Sequence, residues 1–367
     1  MRLICWFFIF LLTIFRVQSL PCEEIPCRKV LFIMTKLEVG GAEQAFISLL
    51  NNWSIPNTKV EVLLLGREGV LEPRLKKDFP IISIQEGLSR SYDAVVSFGE
   101  WIDPRSYLRK ISAKRKVQWI HTDMLTTNTQ QWFSKTNLCE GIDAFVCVSD
   151  RAAESFRKVQ PQLSKKITAI YSVCDAELIR KLSRENIPSF PKDGLCNVVS
   201  VGRLHSSKAF DRAIRVHSRL DKKGIRFRWY IAGEGVERPK LEQQIRKYGL
   251  QKKFILLGKK LNPYPYMVQA DIVAMPSLFE GWCLAVTEAK ILRRPILFTD
   301  VAGAREQIQS EKNGLIVANN EDAIYHGLKR LLQDPALRKR FSDALQGFGY
   351  DNGAIYNNIE KVLFIPN

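Results

Sequence analysis

The sequence predicts an α/β protein built from two doubly wound, parallel-sheet domains, and three observations carry that prediction. Its 367 residues with 46% apolar content suit two ordinary cores. Short β-branched or apolar runs alternate with helical patterns along the chain, as βα units require. A polar, proline-bearing stretch, IPSFPKDG at 187–194, splits those runs into two series.

The first series contains KVLFIMT (29–35), KVEVLLLG (59–66), AVVSFG (94–99), KVQWIHT (116–122), AFVCVSD (144–150) and KITAIYS (166–172). CNVVSVGR (196–203), RFRWYIAGEG (226–235), KFILLGKK (253–260), DIVAMPS (271–277), RPILFTD (294–300) and GLIVAN (314–319) form the second. Each run is followed by a helix-like or loop segment. From Asp322 onward the chain reads as helices, ending in a short one around Tyr356–Leu363. The expected units are residues 28–188 and 192–344, with a tail at 345–367, and two such domains leave a cleft suited to a ligand.

Lys and Arg exceed Asp and Glu by a net +17, which favours anionic partners such as phosphate, nucleic acid or acidic lipid without choosing among them. The eight cysteines form no CxxC pair, and several sit inside strand-like runs, as reduced core thiols do. Four histidines with no HxxxH or HExxH spacing speak against a zinc hydrolase. At the N-terminus, residues 1–20 carry the apolar run LICWFFIFLLTIF between Arg2 and Arg16. It is short for a membrane span and fits the apolar region of a signal peptide. An uncleaved signal anchor or interfacial segment on the cytosolic face is the expectation adopted. The alternative is secretion after cleavage near Ser19, with Cys22 and Cys27 then able to pair.

Chemistry concentrates in PSLFEGWCLAVTEAKILRRPILFTD, where Glu280 and Glu288 stand eight apart. An apolar strand ends at Pro276 and Ser277, a turn at Gly281 follows, and apolar Leu284, Ala285, Ala289 and Leu292 mark a helix. Glu280 then lies in the strand-to-helix loop and Glu288 about two turns into the helix, at the sheet end where open α/β sheets bind ligands. Two carboxylates there can hold vicinal hydroxyls of a sugar and a ribose; alternatively they are a dipole-favoured acid and a solvated helix glutamate. Arg203 and Lys208, at the end of the second series' first run, place two cations at the cleft, suited to a departing diphosphate. Gly40 and Gly41 precede a helix whose N–H groups and dipole favour phosphate, although a Gly-Gly pair also serves as a simple turn. Glu43 complements the same helix dipole.

Several motifs occur in one order: KLEVGGAEQAFISLL, SVGRLHSSKAFDRAI, YIAGEGVERPKLEQQI, the Glu-x7-Glu segment and TDVAGAREQI. In this ordered set, from Lys29 to the end, the chain resembles the family 4 glycosyltransferases of GT-B fold, retaining enzymes that move a sugar from a nucleotide donor. The resemblance implies that Glu288 holds the ribose hydroxyls, Glu280 the transferred sugar and phosphate, and His121 in WIHTD the donor sugar near the reacting centre. It implies a Gly40–Gly41 loop over the donor phosphates, a tight Gly233–Gly235 loop that either lies near the nucleotide or only forms a turn, and a C-terminal helix, after about residue 345, crossing back onto the first domain. Retention by front-face attack, with the leaving phosphate helping to deprotonate the acceptor, is likewise inherited.

No Asp-x-Asp is present, so the sequence makes no case for a metal bridging the diphosphate, and a nucleotide-diphosphate sugar is expected as co-substrate with no cofactor. Trp282 and Cys283 depart from the family's usual pair after Glu-Gly, with Trp282 near the sugar or in the interdomain wall. KILRRP places Arg293 and Arg294 on the surface, and Ser172 stands where asparagine is frequent. The basic stretch PRSYLRKISAKRKVQW (104–119), with the apolar N-terminus, is a candidate dock for an anionic membrane bearing a lipid-linked acceptor; the alternative is a solvated helix face. No nucleic-acid module is recognisable. The expected activity is transfer of a hexose or N-acetylhexosamine to a glycan, lipid-linked oligosaccharide or glycolipid. The alternatives are a sugar-nucleotide epimerase or phosphorylase of the same architecture and a non-catalytic nucleotide-sugar-binding scaffold. A dinucleotide oxidoreductase is disfavoured because no GxGxxG follows either domain's first strand.

Overall fold

The computed structural model describes residues 26–66, 69–126, 138–187 and 189–365; the apolar 1–20 segment lies outside them. The first sheet is built from β1 (Arg28–Met34), β2 (Thr58–Leu64), β3 (Ile81–Ile82), β4 (Ser91–Phe98), β5 (Ser112–Ile120), β6 (Ala144–Cys147) and β7 (Ile167–Ala169). All pairs are parallel, in the order β3-β2-β1-β4-β5-β6-β7. The second holds β8 (Cys196–Val201), β9 (Phe227–Ala232), β10 (Phe254–Gly258), β11 (Ile272–Met275), β12 (Ile296–Thr299) and β13 (Leu315–Val317), also parallel, in the order β10-β9-β8-β11-β12-β13. Helices on both faces explain why the strands are near-continuous apolar runs rather than alternating ones. Val30 to Met34, for instance, are all fully buried.

The helices are α1 (Gly41–Asn51), α2 (Ile84–Ser89), α3 (Asp150–Val159), α4 (Ala176–Leu182), α5 (Phe210–Lys222), α6 (Arg238–Lys247), α7 (Tyr264–Val268), α8 (Leu284–Ile291), α9 (Ala304–Gln307), α10 (Glu321–Gln333), α11 (Pro335–Ala344) and α12 (Asn352–Phe364). Side-chain caps start many of them, among them Ser83 in a reciprocal box with Glu86, and Asp175, Asn320 and Asp351. The C-terminal α12 lies on the first domain. Ile355, Tyr356, Ile359 and Leu363 join that core, the Tyr356 hydroxyl donates to the Leu49 carbonyl, and Arg28 pairs with Glu360.

Both sheets reverse strand order beside their first strand, between β1 and β4 and between β8 and β11. Loops leaving two adjacent strands on opposite faces open a crevice at such a point. The domains also touch directly: Tyr171 stacks on Trp282 at 4.7 Å, and Arg151 pairs with Asp300 at 3.2 Å. Lys259 approaches Glu38 at 3.6 Å on the other rim.

Candidate functional site

The segments after β8 and β11, the two strands flanking the second sheet's reversal, bring together a compact polar cluster. After β8 the chain runs through Gly202, Arg203 and His205 into a 3-10 turn at Ser206–Lys208. After β11 it runs through Ser277 and Glu280 to α8. The two segments are joined by the Leu278 N–H donating to the Ser207 carbonyl at 2.8 Å. Lys208 Nζ lies 2.6 Å from Glu280 Oε1, and Ser277 Oγ donates to the same oxygen at 2.6 Å. Burial works to lower the Lys208 pKa, but the Glu280 carboxylate beside it outweighs that and the ammonium is held above its usual range. Arg203 is exposed, and its guanidinium makes no hydrogen bond among the described residues. Its charge acts on both Lys208 and Glu43, bringing a cation of the second domain to the first turn of α1.

Lys208 is followed by Ala209 in the left-handed region (φ 51°), ending the 3-10 turn and starting α5. An L-residue with a Cβ is disfavoured there by about 1–2 kcal/mol, partly offset by the unfolded-state entropy of glycine. Ala209 is also fully buried, so Ala209→Gly loses a core methyl worth about 0.8 kcal/mol as it relieves the backbone. Its stability, read from the urea midpoint at unchanged slope, is expected to stay within about 0.5 kcal/mol of wild type.

Gly233 and Gly235 lie where two loops meet backbone to backbone. A Cβ on Gly233 would stand 1.9 Å from the Gly202 carbonyl oxygen, and one on Gly235 2.4 Å from that of Leu204. Their role in this structure is to let the β9 loop support the Arg203 loop. Gly40 caps α1, and the Glu43 carboxyl folds back over it, so that burial pushes the Glu43 pKa up. Gly41 is exposed, with open space around its Cα.

His121 follows β5. Its backbone N–H donates to Glu100 Oε2 at 2.8 Å, and its ring packs 4.7 Å from Phe98 and 5.8 Å from Trp101. Nε2 is buried without a hydrogen-bond partner among the described residues, and burial holds the imidazole pKa down to about 3, so the ring is neutral. The His121 carbonyl meets Gly281, the residue after Glu280; a Cβ there would stand 2.0 Å from it. His121 and the Glu280 loop are thus neighbours across the cleft.

Glu288 differs from the prediction. Helix α8 starts only at Leu284, so Glu288 lies just over one turn in, because the chain bends at Gly281 and stays non-helical through Cys283, its extended N-cap. Glu288 is 7% exposed; its carboxyl accepts from the Tyr264 hydroxyl at 3.1 Å and is pushed by burial to a pKa of about 7. It lines an interdomain cavity of about 430 Å³ with Gln44, Ser48 and Asn51 of α1, Arg74 and Leu284; Glu280, Lys208 and His121 do not line it.

Several functional-looking residues were not legible as such. Ser277 and Tyr264 are a serine and a tyrosine in unremarkable runs until the fold sets them on Glu280 and Glu288. Buried Glu100, raised to a pKa of about 7 by desolvation, was hidden at the end of a strand run. Trp282 stands in the interdomain wall, stacked on Tyr171. Of the two arginines expected on the surface, Arg293 is exposed, whereas Arg294 is partly buried and donates to the carbonyls of Leu292 and Ala270.

The basic stretch is not a helix face. Residues 104–110 form turns, and β5 begins at Ser112. Arg105 pairs with Asp103 and Lys114 with Asp93, both at 2.7 Å, while Lys116 and Arg115 donate to the carbonyls of Arg109 and Val362. Among the described residues no helix is long and apolar enough to cross a membrane, and no three His, Cys, Asp or Glu side chains gather as a metal-ligand set.

Residues 184–347, which include the whole second sheet, match the family model of the glycosyl transferases group 1. Over 181 residues the chain is 35% identical to the N-acetylgalactosamine-N,N'-diacetylbacillosaminyl-diphospho-undecaprenol 4-alpha-N-acetylgalactosaminyltransferase of Campylobacter jejuni, covering 49% of this chain and 48% of that protein. It is 26% identical over 210 residues to the alpha-D-kanosaminyltransferase of Streptomyces kanamyceticus, covering 54% of each. The chain thus spans about half the length of these curated relatives. Among solved structures, Anabaena Alr3699/HepE in complex with UDP-glucose superposes with a TM-score of 0.75 at 17% identity, covering 92% of this chain and 99% of that one. S. aureus TarM superposes with a TM-score of 0.73 at 12% identity, covering 93% and 99%. The chain has the α/β GT-B fold of those structures, with a second domain that matches the glycosyl transferases group 1.

Proposed function

We propose that this protein is a retaining glycosyltransferase that moves a hexose or N-acetylhexosamine from a nucleotide-diphosphate sugar to a glycan or lipid-linked acceptor. One observation carries the reading: Lys208, Glu280 and Ser277 are hydrogen-bonded together at the reversal point of the second sheet, with the uncommitted Arg203 guanidinium beside them and His121 across the cleft. The donor diphosphate lies against Arg203 and Lys208 and above the α1 N-terminus, whose N–H groups favour anions. As the sugar–phosphate bond breaks, charge grows on the leaving diphosphate and these fixed cations stabilise it. Glu280 accepts hydroxyls of the transferred sugar, Glu288 with Tyr264 holds the ribose, and the acceptor proton passes to the leaving phosphate. A UDP-linked N-acetylhexosamine is the first donor to test, because related folds bind UDP and the Campylobacter relative is named for N-acetylgalactosamine transfer. That relative's diphospho-undecaprenol substrate supports a lipid-linked acceptor. Arg105, Lys110 and Lys114 of the basic stretch are exposed and are the surface we propose for contact with an anionic membrane.

The test is incubation with a panel of UDP-, GDP- and ADP-sugars, with and without EDTA, following nucleotide release by mass spectrometry. Release from one donor, insensitive to EDTA and lost in Glu280→Ala, is expected; binding of no donor in the panel would overturn the nucleotide-sugar reading. Product anomers read by NMR then decide retention.

Glu288 adds a pH signature. Hydroxyls donated to its carboxylate favour the ionised form, so donor binding lowers a pKa that stands near 7 in the empty site. Donor affinity should therefore rise with pH up to about 7 and level off above it. Calorimetric titrations across that range should show the slope in the wild type and its loss in Glu288→Gln.

A further inference from the structure

Arg212, on the first turn of α5, is a buried cation that the proposed chemistry does not use. It is 5% exposed and has no carboxylate as hydrogen-bond partner. The nearby acids Asp211 and Glu321 are instead bonded to Arg215, at 2.9 and 2.7 Å. Burial lowers the Arg212 pKa to about 10, which leaves it charged at neutral pH. A buried charge without a counter-ion is costly unless its hydrogen bonds are all well used.

Those hydrogen bonds converge on one segment. Nε donates to the Pro276 carbonyl at 2.8 Å, and Nη2 donates to the Ser277 carbonyl at 2.7 Å and to Asn319 Oδ1 at 2.8 Å. Asn319 in turn donates to the Leu278 carbonyl at 2.7 Å, and Thr299 Oγ1 donates to the Ser277 carbonyl at 2.6 Å. Three successive carbonyls, 276 to 278, are thus bound from α5, the end of β12 and the residues after β13. Ser277 and Glu280, two and five positions past the end of β11, belong to the segment so held. A planar guanidinium fork suits two adjacent carbonyls as a lysine cannot.

We propose that Arg212 is a positioning residue: its guanidinium fixes the backbone at Pro276 and Ser277, and through it sets Glu280 for the transferred sugar. The last step rests on the reading of Glu280 as the sugar contact. Arg212 itself touches no substrate. It acts through the loop, so its loss should fall on the sugar-dependent part of donor binding and spare the nucleotide part.

The experiment uses the full chain carrying Arg212→Lys, Arg212→Met, Glu280→Gln or the Arg212→Lys/Glu280→Gln pair. Hydrogen exchange is followed by mass spectrometry, and binding of UDP and of UDP-N-acetylglucosamine by calorimetry. In Arg212→Lys, amide exchange should rise about tenfold in peptides covering 276–283 and stay unchanged in β8 and β9. UDP-sugar affinity should fall about tenfold, with UDP alone changed less than about threefold and no further loss of sugar affinity in the Glu280→Gln background. Equal losses for UDP and UDP-sugar, additive effects in the double variant, or unchanged exchange at 276–283 would overturn the proposal. Should Arg212→Met fail to fold, the lysine variant, which keeps the charge, still decides. A wild type that binds neither nucleotide would sink the donor reading instead; the exchange data would then stand alone, with loosening confined to 276–283 supporting the brace and uniform or absent loosening refuting it.

Discussion

Replacing Lys208 with alanine is expected to lower turnover about 100- to 1000-fold, the loss that follows removal of one preorganised charge-stabilising group from an active site. Donor KM should change far less, because the charge that Lys208 answers develops mainly in the transition state. The structure adds a second consequence. Lys208 and Glu280 are mutual partners with side chains only 19% and 9% exposed. Removing one alone leaves a buried carboxylate without its cation, and breaking such a pair costs roughly 3–5 kcal/mol. Lys208→Ala should therefore lower Tm as well as turnover, whereas the Lys208→Ala/Glu280→Gln double variant should recover most of the Tm and none of the activity. Turnover within a few-fold of wild type in Lys208→Ala would remove the residue from the mechanism. Recovery of activity with Tm would show that the single variant had merely unfolded.

The sequence made the sheets legible because parallel strands covered on both faces are long apolar runs, visible without alternation. Strand β3, two residues long at Ile81–Ile82, carries too little pattern to be seen. Glu280, Lys208 and Arg203 could be nominated because strand ends in an α/β sheet are where ligands bind. What those residues touch could not be read. The Ser277 hydroxyl, the Arg212 brace and the Tyr264 partner of Glu288 depend on contacts between segments many residues apart. The one-turn depth of Glu288 depends on where α8 begins, and helix boundaries are the least determined feature of a local pattern. Gly233 and Gly235 show the same limit: the glycines were visible, but their reason, a second backbone lying against each, belongs to the fold.

Gly281 gives the largest effect expected from the smallest change. Its conformation does not require glycine, since its φ is not in the left-handed region; its surroundings do. A Cβ would stand 2.0 Å from the His121 carbonyl oxygen, 2.5 Å from its carbon and 2.9 Å from Val148 Cγ2, all in the first domain. Two of those atoms are backbone, which cannot turn aside as a side chain can. Gly281→Ala must therefore displace the loop holding Glu280 and Trp282 or part the two domains, by on the order of 1 Å, and a misplacement of that size can cost about 100-fold in rate. The stability cost should stay near the 1–3 kcal/mol typical of overpacking, because each domain keeps its own core. Kinetics and small-angle scattering separate the two routes. A fall of about 100-fold in kcat/KM with a larger radius of gyration means that the domains have parted. The same fall at an unchanged radius means that the Glu280 loop has moved within a closed cleft. Activity within a few-fold of wild type would mean that the His121–Gly281 approach is not part of the working geometry. The contact would then be one that the protein leaves when donor binds, and Glu280 and His121 would meet the sugar from further apart.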